Sequence, residues 1–513
     1  MGNPDDLGER ALETELKFVV DAEGAERLRV DLELPDEGER LRSVYFDTPD
    51  MDLKADGFVL RVREKGDERI QGVKHNGNGS VFSRHEWETL IEGEGLDFDA
   101  IDATPLGERL GRKRREALTP TFEVDVRRAK RTLEFQGAEI EVALDEGEVR
   151  TVGRREAIRE LELELISGSP AALFALARTL TSSAPTLSFR TKSARGFALA
   201  RDKETCAAAL VPPPLKPGQT VREGFHAIAA GCLAQIAANG EVLRLRRDSE
   251  AVHQLRVGAR RLRSAFSLFR PILGEQATHG AVASELRWLA GECDAARNLD
   301  VFAEDAFAPI VKQADDPEML AGFALALERR RTQAHDRARK AVHGARFRTL
   351  LLEAAAWIEA GDWTTDEAVA KQRERRLETF AAEALDEAHH RVLKRAKALK
   401  GEDDKARHKL RVGDKVLRYG ISSFATVFED AKPKEVNALK AAAAEAQDVL
   451  GALTDIVAAR AICDELAKTE SGGDPAIVYA AGYVAGHVSA GEPAKLKAAK
   501  RAVRRLKKAE PFW

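Results

Sequence analysis

Glu13-Thr14-Glu15-Leu16-Lys17 puts charge where a strand usually carries its apolar face. Residues i, i+2 and i+4 of a strand point to one side, so Glu13, Glu15 and Lys17 share a face while Leu16 and Phe18 take the other. One such strand describes only a solvated face. The pattern recurs: Arg61 and Arg63 flank Val62, Glu86 and Glu88 flank Trp87, and Glu139 and Glu141 flank Ile140. Glu160, Glu162 and Glu164 then alternate with Leu161, Leu163 and Leu165. Several strands with both signs of charge on one face imply a sheet closed around a polar lumen. A lumen of that kind suits a highly anionic ligand accompanied by cations.

With 513 residues the chain exceeds one core and points to two to four domains. No apolar run reaches the ~20 residues that span a bilayer. The start, Met1-Gly-Asn-Pro-Asp-Asp6, is acidic and lacks the apolar core of a secretory signal. Cys206, Cys232, Cys293 and Cys463 are scattered and read as reduced thiols of a cytoplasmic protein. Residues 1–200 hold 30 Lys+Arg against 41 Asp+Glu, and the remainder holds 51 against 44. The acidic first part and the basic second part therefore suit different partners, or different steps of one task.

Residues 10–200 read as short strands and polar turns, such as His75-Asn-Gly-Asn-Gly-Ser80, with helices near 22–33 and 170–182. Ser169-Pro170 opens the second helix as N-cap and first helical residue. Val211-Pro-Pro-Pro-Leu-Lys-Pro217 is a stiff linker. Beyond residue 219 the composition turns Ala/Leu/Glu/Arg-rich with helical periodicity. Here the chain repeats itself at a separation of 155 residues: His253-Gln-Leu-Arg-Val-Gly-Ala-Arg-Arg-Leu-Arg263 aligns with His408-Lys-Leu-Arg-Val-Gly-Asp-Lys-Val-Leu-Arg418. Asp300 and Asp455 follow at the same offset of 47. Two copies imply tandem helical bundles with pseudo-twofold symmetry.

His253, Arg256, Arg260 and Arg263 fall on one helical stripe, and His408, Arg411, Lys415 and Arg418 reproduce it. Aligned cations repel unless water or a polyanion screens them. Further basic runs, Arg329-Arg-Arg331, Lys394-Arg395-Ala-Lys397 and Lys500-Arg501 to Lys507-Lys508, read equally well as solvated surface. Few aromatics stand near the stripes, which disfavours nucleic acid as the ligand.

This half, roughly residues 219–508, resembles the CHAD family of helical domains on its two His-x-x-Arg-x-x-x-(Arg/Lys)-x-x-Arg helices. The resemblance implies two four-helix bundles that bind inorganic polyphosphate through the eight stripe residues. The second copy has Val416 where the first has Arg261. The first half, about residues 10–200, resembles the CYTH family of triphosphate tunnel metalloenzymes. Glu-x-Glu-x-Lys at 13–17, Arg-x-Arg at 61–63, Lys74, Glu86, Ile140-Glu-Val-Ala-Leu-Asp-Glu-Gly-Glu148, Glu-x-Glu-x-Glu at 160–164 and Thr191-Lys-Ser-Ala-Arg-Gly196 carry it.

Together these imply an α+β arrangement: an eight-stranded antiparallel β-barrel, residues 10–202, a linker at 203–218, and an all-α domain at 219–510. That domain comprises two tandem pseudo-symmetric four-helix bundles, about 219–360 and 366–510. The implied activity is inorganic triphosphatase or short-chain polyphosphatase, with thiamine triphosphatase, adenylate cyclase or a purely binding role as alternatives. The expected substrate contacts are Lys17, Arg61, Arg63, Lys74, Arg114, Arg128, Lys130 and Lys192. Carboxylates beside a polyanion require hard divalent cations between them, so Glu13, Glu15, Glu162 and Glu164 are expected to bind one Mg²⁺ or Mn²⁺, and Asp145 with Glu148 a second. Glu13, Glu15, Lys17, Asp145 and Glu160 are the expected catalytic set, Asp145 or Glu160 positioning water. His75 and His85 take no part. Expected partners are inorganic triphosphate and polyphosphate, without a membrane, and the expected location is the cytoplasm, including polyphosphate granules.

Overall fold

The computed structural model describes residues 14–75, 85–201, 206–207, 209, 215–273, 277–397, 404–470, 472 and 474–513. Glu13 and the turn after His75 therefore lie outside the described residues. The chain divides into two compact units: Met1–Ala207 with Arg348–Ala360, and Ala208–Phe347 with Gly361–Trp513. None of the described helices is long and apolar enough to cross a membrane.

The first unit is built on one antiparallel sheet. Its strands are β1 (Thr14–Val19), β2 (Glu39–Asp47), β3 (Phe58–Lys65), β4 (Glu68–His75), β5 (His85–Leu90), β6 (Thr119–Phe135), β7 (Ala138–Thr151), β8 (Arg154–Ser167) and the two-residue β9 (Thr186–Leu187). The order is β5-β4-β3-β2-β6-β7-β8-β1-β9, so the eight expected strands are joined by a ninth short one at the edge. Leu16 and Phe18 are buried at 1% and 2% exposure on the outer face. That face is covered by α1 (Ala22–Asp31) and α2 (Pro170–Thr179), which pack on β7 and β8. Ser169, the expected N-cap, accepts the Ala171 N–H, and Asp21 caps the first helix by accepting the Gly24 N–H.

The inner face changes character along its length. At one end it carries the charged residues; at the other it is apolar and filled by α3 (Lys192–Ala200). Phe197 of α3 packs among Leu41, Phe122, Val126, Val149 and Ile158. Close approach requires glycine at Gly196, where an added Cβ would stand 2.1 Å from the Phe122 ring. Asp47, which has no obvious signal in the sequence, is fully buried and accepts backbone N–H groups from Thr48, Leu53 and Lys54, fixing the turn that leads into β3.

The second unit is helical. In its first half α4 (Val221–Leu245), α5 (Ser249–Leu268), α6 (Ala277–Val301) and α7 (Ala321–His343) pack in a ring. In its second half α8 (Leu377–Ala396), α9 (Asp404–Phe424), α10 (Pro433–Thr469) and α12 (Glu492–Lys508) form the matching group, with α11 (Pro475–Ala490) added beside α10. The two histidine-bearing helices, α5 and α9, pack directly against each other. The glycine shared by both repeats lets each lie close on its predecessor. A Cβ on Gly258 would come within 2.9 Å of Ile236 in α4, and one on Gly413 within 2.8 Å of Arg395 in α8.

Gly196→Ala forces a methyl group into a rigid aromatic ring, so overpacking should cost about 1–3 kcal/mol. Hydrogen exchange in β6 and β7 reads this directly, and exchange as slow as in the wild type would refute the plug.

Candidate active site and polyanion cleft

Register assembles the charged end of the lumen. Directly opposed residues of antiparallel strands share a face, and β8 sets Glu162 opposite Lys17 of β1 and Glu164 opposite Glu15. On its other side β8 sets Glu160 opposite Asp145 of β7, which in turn faces Arg128 of β6. Lys17 Nζ lies 2.6 Å from Glu15 and 2.7 Å from Glu162. Arg128 forks onto Asp145 at 2.7 and 2.6 Å and reaches Glu162 at 2.6 Å. Lys192, at the first turn of α3, touches Asp145, Glu160 and Glu162 at 2.8, 2.8 and 2.9 Å.

Across the lumen, Arg61 lies 2.7 Å from Glu86 and 2.9 Å from Glu88, and Lys74 lies 2.5 Å from Glu86. Burial opposes charge on Glu15, yet Lys17, with help from Lys74 on β4, holds its carboxyl below the usual range.

The fields in this lattice are strong. Burial alone would raise the Glu162 carboxyl, but Lys17, Lys192 and Arg128 hold it well below the usual range. Burial likewise opposes charge on Asp145, and Lys192 with Arg128 lowers it nonetheless. Lys17 and Lys192 stay above the ordinary lysine value against burial because of their carboxylate neighbours. Glu86 is brought down to about 2 by Arg61 and Lys74, again against burial. Arg63 differs from all of these. Its nearest carboxylate, Glu88, is 3.9 Å away, and repulsion from Arg61, with burial, brings its guanidinium down to about 10.

Some expected members lie elsewhere. Glu148 stands an odd number of residues from Asp145 within β7, so it lies on the opposite face, where it pairs with Arg150 at 3.0 Å. The expected Asp145–Glu148 metal pair is therefore corrected. Arg114 is tied to Asp56 at 2.7 Å, outside the lattice; Lys130 shares the face of Arg128, two residues away on β6, but is half exposed and paired with Glu141 at 2.7 Å. Arg195 was not anticipated: it is buried on α3 and contacts Glu156 and Glu160, each at 3.1 Å. Among the described residues no group of three or more His, Cys, Asp or Glu side chains is placed to hold a metal ion. Ammonium and guanidinium groups are interleaved with the carboxylates. Glu15 and Glu162 still converge on one cation, the Lys17 ammonium, and their oxygens suit a hard divalent ion.

In the helical unit a cavity of about 520 Å³ opens between the repeats. His253, Arg256 and Arg260 of α5 and Arg411 and Lys415 of α9 line it, joined by Arg297, Asp455 and Lys495. Arg263, His408 and Arg418 do not line it, and His408 is exposed. Burial, followed by repulsion from Arg260 and Arg411, brings Lys415 down to about 7. Burial and Arg297 lower His253. The matched aspartates have diverged. Asp300 is buried and bonded to His335 at 2.9 Å and Arg331 at 3.0 Å, whereas Asp455 lines the cavity. A π-helical turn, Phe302–Phe307, brings Phe302 and Asp305 to the same wall.

Comparison with known proteins agrees with both halves. The CYTH domain model matches residues 11–197 and the CHAD domain model residues 227–464. The chain carries a CYTH domain followed by a CHAD domain. An inorganic triphosphatase of Haemophilus influenzae is 33% identical over 143 residues, 27% of this chain and 40% of that protein, so the match spans well under half of that relative. The crystal structure of the CHAD domain from the plant Ricinus communis superposes with a TM-score of 0.51 at 26% identity, covering 58% of this chain and 96% of that one.

Acid should weaken the CYTH lattice. A carboxylate whose folded pKa is depressed adds stability above its unfolded value, near 4.5 for Glu86, and loses it as pH falls through the folded value of about 2. The stability difference between the wild type and Glu86→Gln, read by hydrogen exchange in β5, should be constant above pH 5 and shrink steadily toward pH 2. A difference that does not change with pH would remove Glu86 from the lattice.

Proposed function

We propose that the CYTH domain hydrolyses the terminal phosphoanhydride of inorganic triphosphate or short polyphosphate, and that the CHAD domain holds inorganic polyphosphate. The observation that carries this reading is Arg63: a partly buried cation whose Nε has no hydrogen-bond partner and whose nearest carboxylate is 3.9 Å away, repelled by Arg61 and Arg128 inside a lumen where its neighbours are closely paired. Such a group welcomes an anion. A phosphate chain supplies several, and Lys17, Arg61, Lys74, Arg128 and Lys192 surround the same space.

In this reading the chain lies along these cations, which orient it and neutralise charge growing on the bridging oxygen. Water attacks the terminal phosphorus, the P–O bond to the bridging oxygen breaks, and orthophosphate leaves with the shortened chain. The water's proton passes to a phosphate oxygen or to solvent. Asp145 and Glu160, buried and engaged by Arg128, Lys192 and Arg195, keep those cations aimed. Glu15, Glu162 and Glu164, with Glu13, are the residues that would hold Mg²⁺ or Mn²⁺. When bound, such an ion adds further positive charge beside the phosphate oxygens. Phe197 fills the apolar end of the lumen, which favours a bare phosphate chain over an organic triphosphate.

Phosphate release from triphosphate, ATP and thiamine triphosphate, with Mg²⁺ or Mn²⁺, tests the reading, with cyclic AMP formation as a control. Glu15→Gln should reduce triphosphate hydrolysis by on the order of 100-fold while the protein stays folded. Arg63→Ala should raise KM by about tenfold or more, the worth of one charge-assisted contact. Full activity in Glu15→Gln, or preference for an organic triphosphate, would overturn it. In the cleft, Lys415 gains its charge as pH falls through about 7, so polyphosphate should bind more tightly at pH 6 than at pH 8.5. Lys415→Gln should flatten that dependence, which titration calorimetry at the two pH values would measure.

A further inference from the structure

The last helix, α12, has two unlike sides. Ala499, Ala502, Val503 and Leu506 are buried against the bundle. Lys497, Lys500, Arg501, Arg504, Lys507 and Lys508 are exposed and fall within an arc of about 120° at ~100° per residue. Among the described residues none of these six forms an ion pair; Arg505, just beside the arc, turns aside to Glu445 at 2.7 Å. The contrast with α7 is informative. There Arg329, Arg330, Arg331 and Arg337 are each tied to a carboxylate on another helix.

A solvated basic face explains these cations incompletely. The helix dipole favours Lys507 and Lys508 in the last turn, yet it offers nothing to Lys497, Lys500 or Arg501, five to nine residues from the start. Pairs at i,i+4, namely Lys497–Arg501, Lys500–Arg504 and Arg504–Lys508, repel one another. The acidic residues that cancel charge elsewhere in this chain, which has a net charge of −4, are absent from this stripe.

The occupant follows from what the stripe lacks. It carries no aromatic side chain for stacking on bases and no apolar residue for entering a bilayer. Lys and Arg donors alone are sufficient for a bare phosphate chain. Lys495 of the same helix lines the cleft on the opposite side, so α12 borders a cavity of about 520 Å³ that a long chain would overfill. We propose that the outward face of α12 is a second polyphosphate-binding surface, engaging the part of a long chain that the cleft does not hold. The proposal rests on the reading of the cleft as a polyphosphate site and adds a dependence on chain length to it.

The test uses the full chain and inorganic polyphosphate of about ten and about one hundred phosphates, titrated at several salt concentrations. In the variant K497Q/K500Q/R501Q/R504Q the short chain should bind within about twofold of the wild type. The long chain should bind at least about tenfold more weakly at moderate salt, with a shallower salt dependence. Circular dichroism checks that the helix persists. Arg256→Gln with Arg411→Gln should weaken the short chain.

Unchanged long-chain affinity in the stripe variant would overturn the surface while leaving the cleft intact. Equal losses for both chains would also overturn it, by making α12 part of the cleft. A wild type that binds neither chain would sink the cleft reading and the surface with it. Anionic vesicles and single-stranded DNA are measured in parallel. If the variant loses one of those but not long polyphosphate, the stripe belongs to that partner.

Discussion

Strand register is the constraint on which the CYTH lumen depends. Along β1 and β8 one face is apolar and lies under helices, and the other holds charges that face charges on neighbouring strands. A shift of one residue would exchange the faces. Lys17 and Glu162 would enter an apolar layer, while Leu16 and Leu163 would line the lumen. Charges without partners in such a layer cost several kcal/mol each, so few other pairings can compete. The salt-bridge lattice thus adds specificity whatever its net contribution to stability. It also leaves the cations aimed inward before any ligand arrives.

The lumen and the cleft use different electrostatics. In the lumen most cations are neutralised by carboxylates and remain firmly protonated. In the cleft between the helical repeats, repulsion and burial act on cations with few counter-charges, and Lys415 falls to about 7. The first arrangement suits a rigid catalytic site whose protonation is insensitive to modest changes of pH. The second suits reversible capture of a long polyanion, because the ligand itself relieves the repulsion.

Much of this was legible in the sequence because it is periodic. Alternation of charge with Leu at 160–165 and 13–18 marked the lumen strands, and the repeat of His253 at His408 marked the paired helices. Proximity in sequence is a poor guide where facing decides. Glu148 stands close to Asp145 in sequence, yet three residues along a strand reverse the side. Arg263, His408 and Arg418 share the stripes of the repeat, but the cleft takes only part of each stripe and draws Arg297 and Lys495 from other helices. Arg195 stands in the Thr191–Gly196 motif with no role of its own marked there, and no local pattern announces Asp47; the partners of both are set by the folded chain. The glycines at Gly196, Gly258 and Gly413 were visible within motifs, yet what each of them makes room for becomes apparent only once the neighbouring element is in place.

Helix α3 joins two tasks in nine residues. Its first turn delivers Lys192 to three carboxylates, and its second wedges Phe197 into the apolar end of the lumen. The lysine can go nowhere that the phenylalanine does not follow. Small rotations of this rod would therefore be converted into changes of charge placement more than a helical turn away. Damage to its hydrophobic anchor would surface as a misplaced lysine charge, and a survey confined to ionisable side chains would miss it.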